Sequence, residues 1–122
     1  MVWFFRKATD EEKRKLLGEI KKKLKGIAQM RPPKLSIGLS YEQKNFDDLF
    51  LLRLDDAQDK FNTLYKNVPR EERTQLAPLS HMLELMSKQF KAGSYSNIGK
   101  LVVDALAEID HLVNEVYTLK SP

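Results

Sequence analysis

Between Phe46 and Met86 the chain reads FDDLFLLRLDDAQDKFNTLYKNVPREERTQLAPLSHMLELM, two apolar-periodic segments joined through Asn67-Val68-Pro69 with almost no loop between them. Phe46, Phe50, Leu54, Ala57, Phe61, Leu64, Tyr65 and Val68 recur at the three-to-four spacing of one helix face. Leu76, Leu79, Leu83, Met86 and Phe90 do the same beyond the proline. A pair of amphipathic helices with so short a link is an αα-hairpin.

Two further helices flank the hairpin. Thr9-Asp10-Glu11-Glu12 has the spacing of a capping box, and Leu16, Leu17, Ile20, Leu24, Ile27 and Ala28 follow as an apolar stripe. Arg31-Pro32-Pro33 ends that helix, because a proline disfavours helical geometry in the residue before it. Ser40-Tyr41-Glu42-Gln43 is a second capping box that opens the hairpin. After it, Gly93 suits a left-handed helix end, Ser94 or Ser96 can cap the next start, and Ile98, Leu101, Val102, Ala105, Ile109, Leu112, Val116 and Leu119 form the last stripe. The expectation is a single all-α domain, a four-helix up-and-down bundle with helices at about 10–30, 41–67, 69–91 and 97–119. Residues 1–8 form a short apolar N-terminal extension. Pro69 fits the first turn of the third helix, whereas Pro78 falls inside its pattern and predicts a kink or break.

At 122 residues the chain can bury a core without metal or disulfide, and its lack of cysteine excludes thiolate chemistry. No apolar run approaches the ~20 residues of a membrane span, and Met1 to Phe5 is too short for the core of a signal peptide. The net charge of +4 is unevenly spread. Residues 1–34 hold eleven Lys/Arg against four Asp/Glu, while the rest holds ten against thirteen. Lys13, Arg14, Lys15, Lys21, Lys22, Lys23 and Lys25 occupy the part of the first helix outside its apolar stripe. That basic end suits an acidic protein surface or an anionic bilayer. Nucleic acid fits less well, since the stretch lacks interleaved aromatics and matches no groove-reading motif.

Catalytic patterns are lacking. The aspartates Asp47, Asp48, Asp55, Asp56 and Asp59 have no calcium-loop spacing, and Asp48, Asp55 and Asp59 fall on a helix face opposite the core stripe. Glu108-Ile109-Asp110-His111 contains the Glu-x-x-His unit of di-iron bundles, but there is no second copy, and Glu108 and His111 project with Asp104 and Glu115 away from the apolar stripe. His81 reads as a surface histidine. No phosphate loop or nucleophile motif is present. A non-enzymatic protein without cofactor or metal is therefore expected. Its candidate docking residues are Trp3, Phe4, Phe5, Arg6, Lys7 and Arg14, with the lysines of the first helix.

Leu52-Arg53-Leu54, Phe61-Asn62-Thr63-Leu64, Val68-Pro69-Arg70-Glu71-Glu72-Arg73 and then Leu76, Leu79 and Leu83 resemble the PsbQ-like family of photosynthetic extrinsic proteins. The likeness spans about residues 46–119; the N-terminus, the first helix and Pro78 depart from the family pattern. It implies a monomeric extrinsic subunit in the thylakoid lumen, on the lumenal face of photosystem II, supporting the oxygen-evolving centre without chemistry of its own. A PsbQ-like subunit of the chloroplast NDH complex is a related possibility, and the chain would then be a mature form. The alternative is a small cytoplasmic adaptor or peripheral membrane protein that uses MVWFF and the basic first helix.

Overall fold

The computed structural model describes residues 9–30 and 40–117, apart from the side chains of residues 40–42 and Tyr95. Within them α1 (Asp10–Ala28), α2 (Ser40–Lys66), α3 (Arg70–Lys91) and α4 (Tyr95–His111) are followed by a π-helical turn, Leu112–Val116. The protein is an all-α four-helix bundle. Each helix packs on the next and α4 closes the ring on α1, with the closest packing in the α1–α2 and α3–α4 pairs.

Local chemistry sets the helix ends. The Thr9 hydroxyl accepts from the Glu12 N–H at 3.2 Å, and the Thr9 N–H donates back to the Glu12 carboxylate at 3.1 Å. This is the capping box expected from the sequence. Gly93 has φ 76, which only glycine adopts without strain, and it lets the Ser94 N–H reach the Gln89 carbonyl (2.9 Å) and the Gly93 N–H the Phe90 carbonyl (3.0 Å). Those two bonds close the end of α3 in a Schellman turn. Pro69 caps α3 from just outside its first turn, with the Glu72 N–H donating to its carbonyl at 3.0 Å.

Each helix contributes its stripe to one core. Leu17, Ile20, Leu24 and Ile27 meet Phe50, Leu54, Ala57, Phe61, Leu64 and Val68, then Leu76, Leu79, Leu83 and Met86, then Ile98, Val102, Ala105, Ile109 and Leu112. Full burial stabilises each large apolar side chain by roughly 1.5–3 kcal/mol relative to leaving it in water.

Several expectations need correction. α1 ends at Ala28 and α4 begins at Tyr95, each two residues earlier than the sequence pattern placed them. Ala28 is exposed rather than buried. Tyr65 also leaves the core stripe and lies 37% exposed, its ring 4.7 Å from the Arg73 guanidinium. α3 runs unbroken through Pro78. Pro78 and Thr74, whose carbonyl loses its helical donor there, are both exposed, so water can satisfy the freed group. The last helix does not stay α-helical to residue 119. Its final turn widens, the Tyr117 N–H bonding the Leu112 carbonyl at 2.8 Å. The extra residue in that turn leaves Val116 only half-buried and puts Tyr117 into the core at 1% exposure. Leu119 lies outside the described residues, and the second capping box rests on the side chains of residues 40–42, which are not described.

Candidate docking surface

α1 carries most of the described cations expected to dock, and the bundle sorts them into three groups. Lys13 stands four residues before Leu17 and seven before Ile20, which puts it on the core face of the helix. It is 4% exposed, the buried charged residue of the core, not part of the solvated face. Its ammonium bonds Glu72 of α3 at 2.9 Å, pairs with Asp10 at 3.5 Å and lies 5.0 Å from the Tyr117 ring centroid. One buried cation thus joins α1, α3 and the end of α4.

The Tyr117 hydroxyl is buried there without a hydrogen-bond partner. Burial first, then the Glu72 carboxylate and more weakly Asp10, push its ionisation well above the usual phenol range. The group is a neutral phenol through the physiological range.

Lys21 and Lys23 flank the core and are held by neighbouring helices, Lys21 on Asp110 of α4 at 2.6 Å and Lys23 on Asp56 of α2 at 3.3 Å. Arg14, Lys15, Lys22 and Lys25 form the third group. They fall within about a third of the helix circumference, on the side opposite the core, and none makes an ion pair among the described residues. Glu11 shares that face and Gly18 leaves a gap in it. The outward stripe is thus narrower than the sequence implied, with four cations available to a partner. Trp3, Phe4, Phe5, Arg6 and Lys7 lie outside the described residues.

Arg53 performs a task that sequence reading did not assign. From α2 its guanidinium donates to the Gly26 carbonyl at 2.9 Å, satisfying an orphan acceptor in the last turn of α1. The side chain also lies along Gly26, 3.5 Å from where a Cβ would stand, an ordinary van der Waals distance.

The residues considered for metal chemistry are dispersed. His111 hydrogen-bonds Glu115, Asp110 is taken by Lys21, and no three potential ligands converge among the described residues. Asp48, Asp55 and Asp59 are exposed on α2, as their spacing predicted. Two hollows are lined by described residues. An apolar one of about 80 Å³ lies between the end of α1 and the starts of α2 and α4, bordered by Met30, Phe46 and Ile98. A more polar open cleft of about 290 Å³ separates α2 from α3, lined by Gln58, Phe61, Asn62, Ser80, Leu83 and Glu84.

Fold and surface together define a helical bundle with one basic outer face. No protein-family model, curated protein or solved structure matches the chain.

Proposed function

We propose that the protein is a non-enzymatic docking subunit that binds an acidic surface of a larger assembly, and that this assembly is a photosynthetic membrane complex bound in the manner of PsbQ-like extrinsic proteins. The observation that supports docking is the outward stripe Arg14, Lys15, Lys22 and Lys25, left without ion partners on a helix whose other lysines Lys13, Lys21 and Lys23 are all paired within the bundle. Clustered charge on one face accelerates encounter with a complementary surface and selects against wrong partners. The photosynthetic assignment rests on the resemblance alone. The residues that carry it serve the bundle: Arg53 closes α1, Glu72 holds Lys13, and the Arg73 guanidinium donates to the Tyr65 carbonyl at 3.1 Å.

The test is reconstitution of the full chain onto photosystem II membranes stripped of extrinsic proteins, followed by a salt wash. Saturable binding released by salt, and lost when Arg14, Lys15, Lys22 and Lys25 are together changed to Glu, is the expected outcome. Equal retention on membranes lacking photosystem II and NDH would overturn the photosynthetic reading. Binding to protein-free anionic vesicles as tight as to membranes would favour the peripheral membrane protein instead.

A further inference from the structure

The cations of α1 lean toward α4. Lys21 bonds Asp110, so Arg14 seven residues before it and Lys25 four after it stand on the same side of the helix. α4 divides in a corresponding way. Asn97 meets Gln89 of α3 at 3.4 Å, and Asp104 and Glu108 follow it at seven and eleven residues, which places these two acids on the α3 side. Toward α1 the helix presents Gly99, Val103 and Leu106, eleven, seven and four residues before Asp110. Asp110 itself is taken by Lys21.

Two contacts fix the heights. Lys13 lies 5.0 Å from the Tyr117 ring centroid and Lys21 bonds Asp110, so α1 and α4 run antiparallel in one register. Lys25 is then level with about Leu106, and Val103 stands less than one turn beyond it. The seam has a cationic bank and an apolar one. Val103 is 64% exposed, more than any other large apolar side chain among the described residues, and Gly99 and Ala107 one turn to either side are exposed with it. Gly18 on the facing bank is exposed as well. The bundle needs neither glycine, since a Cβ on Gly18 or Gly99 would meet nothing within 4 Å, yet a glycine inside a helix costs stability. The open space above both banks has room for a third helix lying along the valley.

We propose that the α1–α4 seam is the docking groove and that its occupant is an amphipathic helix of the partner protein, with carboxylates toward Arg14, Lys22 and Lys25 and an apolar side chain on Val103. This rests on the docking reading above and names the partner's chemistry. Charge favours it. Those three cations have no ion partner among the described residues, and the acid facing them from α4, Asp110, is already bound; Glu11 precedes their span. Spacing favours a helix. Arg14 and Lys25 are eleven residues apart, roughly 16 Å along the axis, and carboxylates eleven apart on a partner helix span the same distance. A bilayer fits less well, because an interfacial face inserts bulky apolar side chains, and Val103 stands among glycine and alanine.

Titrating the isotope-labelled full chain with a helix-stabilised, alanine-based peptide that carries a glutamate row beside a leucine row tests this by amide shifts, without any membrane. Saturable shifts at Gly18, Lys25, Gly99 and Val103, and none at Asn62 or Ser80 in the α2–α3 cleft, are expected. A peptide of equal composition with its glutamates spread around the helix should bind about tenfold more weakly. Gly18→Leu should keep or exceed the parental melting temperature and yet lose affinity by a similar factor, as should Val103→Asp. Glu108→Gln, on the α3 side, should bind as the parent does. No saturable binding, shifts centred elsewhere, equal affinity for the two peptides, or parental affinity in both Gly18→Leu and Val103→Asp overturns the proposal. Anionic vesicles that displace the bound peptide would give the seam to a bilayer and overturn it as well. On stripped photosystem II membranes, Val103→Asp binding as the parent does while the fourfold Glu variant is lost would overturn the seam and leave docking standing. Retention of the fourfold variant would overturn docking itself.

Discussion

α2 has two neighbours and meets them in different ways. Against α1 it packs closely along its length, crossed by Lys23–Asp56 at 3.3 Å, Lys60–Glu19 at 3.5 Å and the Arg53 bond to Gly26. Against α3, to which it is joined by three residues, no more than join α3 to α4, it packs thinly. Contact there concentrates at two ends. Near the turn Arg73 covers Tyr65, and far from it the Phe50 and Phe90 rings stack with centroids 4.3 Å apart; the cleft lies between. Adjacency in sequence therefore does not set the intimacy of packing. Residue type differs where the packing is thin: α1 brings leucine and isoleucine to the core, whereas the cleft between α2 and α3 is bordered by Gln58, Asn62, Ser80 and Glu84 beside Phe61 and Leu83. Side chains with hydrogen-bonding ends keep water near them and do not close a seam.

If the two-ended clasp is right, its far end carries a disproportionate share of the α2–α3 attachment. Phe50→Ala should cost about 3–5 kcal/mol, since it leaves a cavity in the core and also removes the stacked partner of Phe90. Urea unfolding of the variant measures this. A loss below about 1.5 kcal/mol would mean that α3 is held elsewhere.

The second hold on α3 bypasses α2 altogether. Lys13 ties α1 directly to Glu72 on the first turn of α3. Lys13→Ala should destabilise by about 1–3 kcal/mol, less than for a fully buried pair because Glu72 and Asp10 keep access to water once the cation is gone. Lys13→Met keeps the apolar stem and should recover part of that loss. Equal stabilities for the two variants would assign the effect to the charge alone.

At the same end, Tyr117 makes a smaller contribution that depends on pH. Its folded-state ionisation is raised, so its contribution to stability is full below the phenol's ordinary value near 10 and is lost as pH climbs above it. Between pH 9 and pH 11 the parent should lose roughly 1 kcal/mol more than Tyr117→Phe. Parallel losses in both proteins would show that the phenol titrates as freely folded as unfolded.

The sequence disclosed the helices and most of the core, because stripes at three-to-four spacing are sufficient to place an apolar face. It also held the position of Lys13, four residues before Leu17, but its charge argued for solvent, and the arrival of Glu72 from fifty-nine residues away joins Asp10 in compensating the burial. Gln58 with Asn62, and Ser80 with Glu84, are polar pairs one turn apart on the flanks of their stripes, a pattern from which the cleft could have been anticipated. The burial of Tyr117 could not. A single widened turn after Leu112 shifts the buried position from 116 to 117, and no residue in Leu112–Val116 announces it. Of the docking residues, Arg14 is half-buried on α1, while the aromatic segment lies outside the described residues.

The smallest effect concerns the seam that looks strongest. Lys23–Asp56 is a tempting reason for the close fit of α1 on α2, yet both side chains are about 40% exposed, in reach of water and salt. Ordering two flexible side chains offsets most of the gain, and such pairs contribute about 0.2–1 kcal/mol. A double-mutant cycle with Lys23→Ala and Asp56→Ala should give a coupling of that size, falling toward zero in high salt. A salt-resistant coupling near 2 kcal/mol would reverse the reasoning about α2: the difference between its two seams would then be electrostatic, and adding an ion pair across the cleft, not filling it with apolar side chains, would be the way to close α2 onto α3.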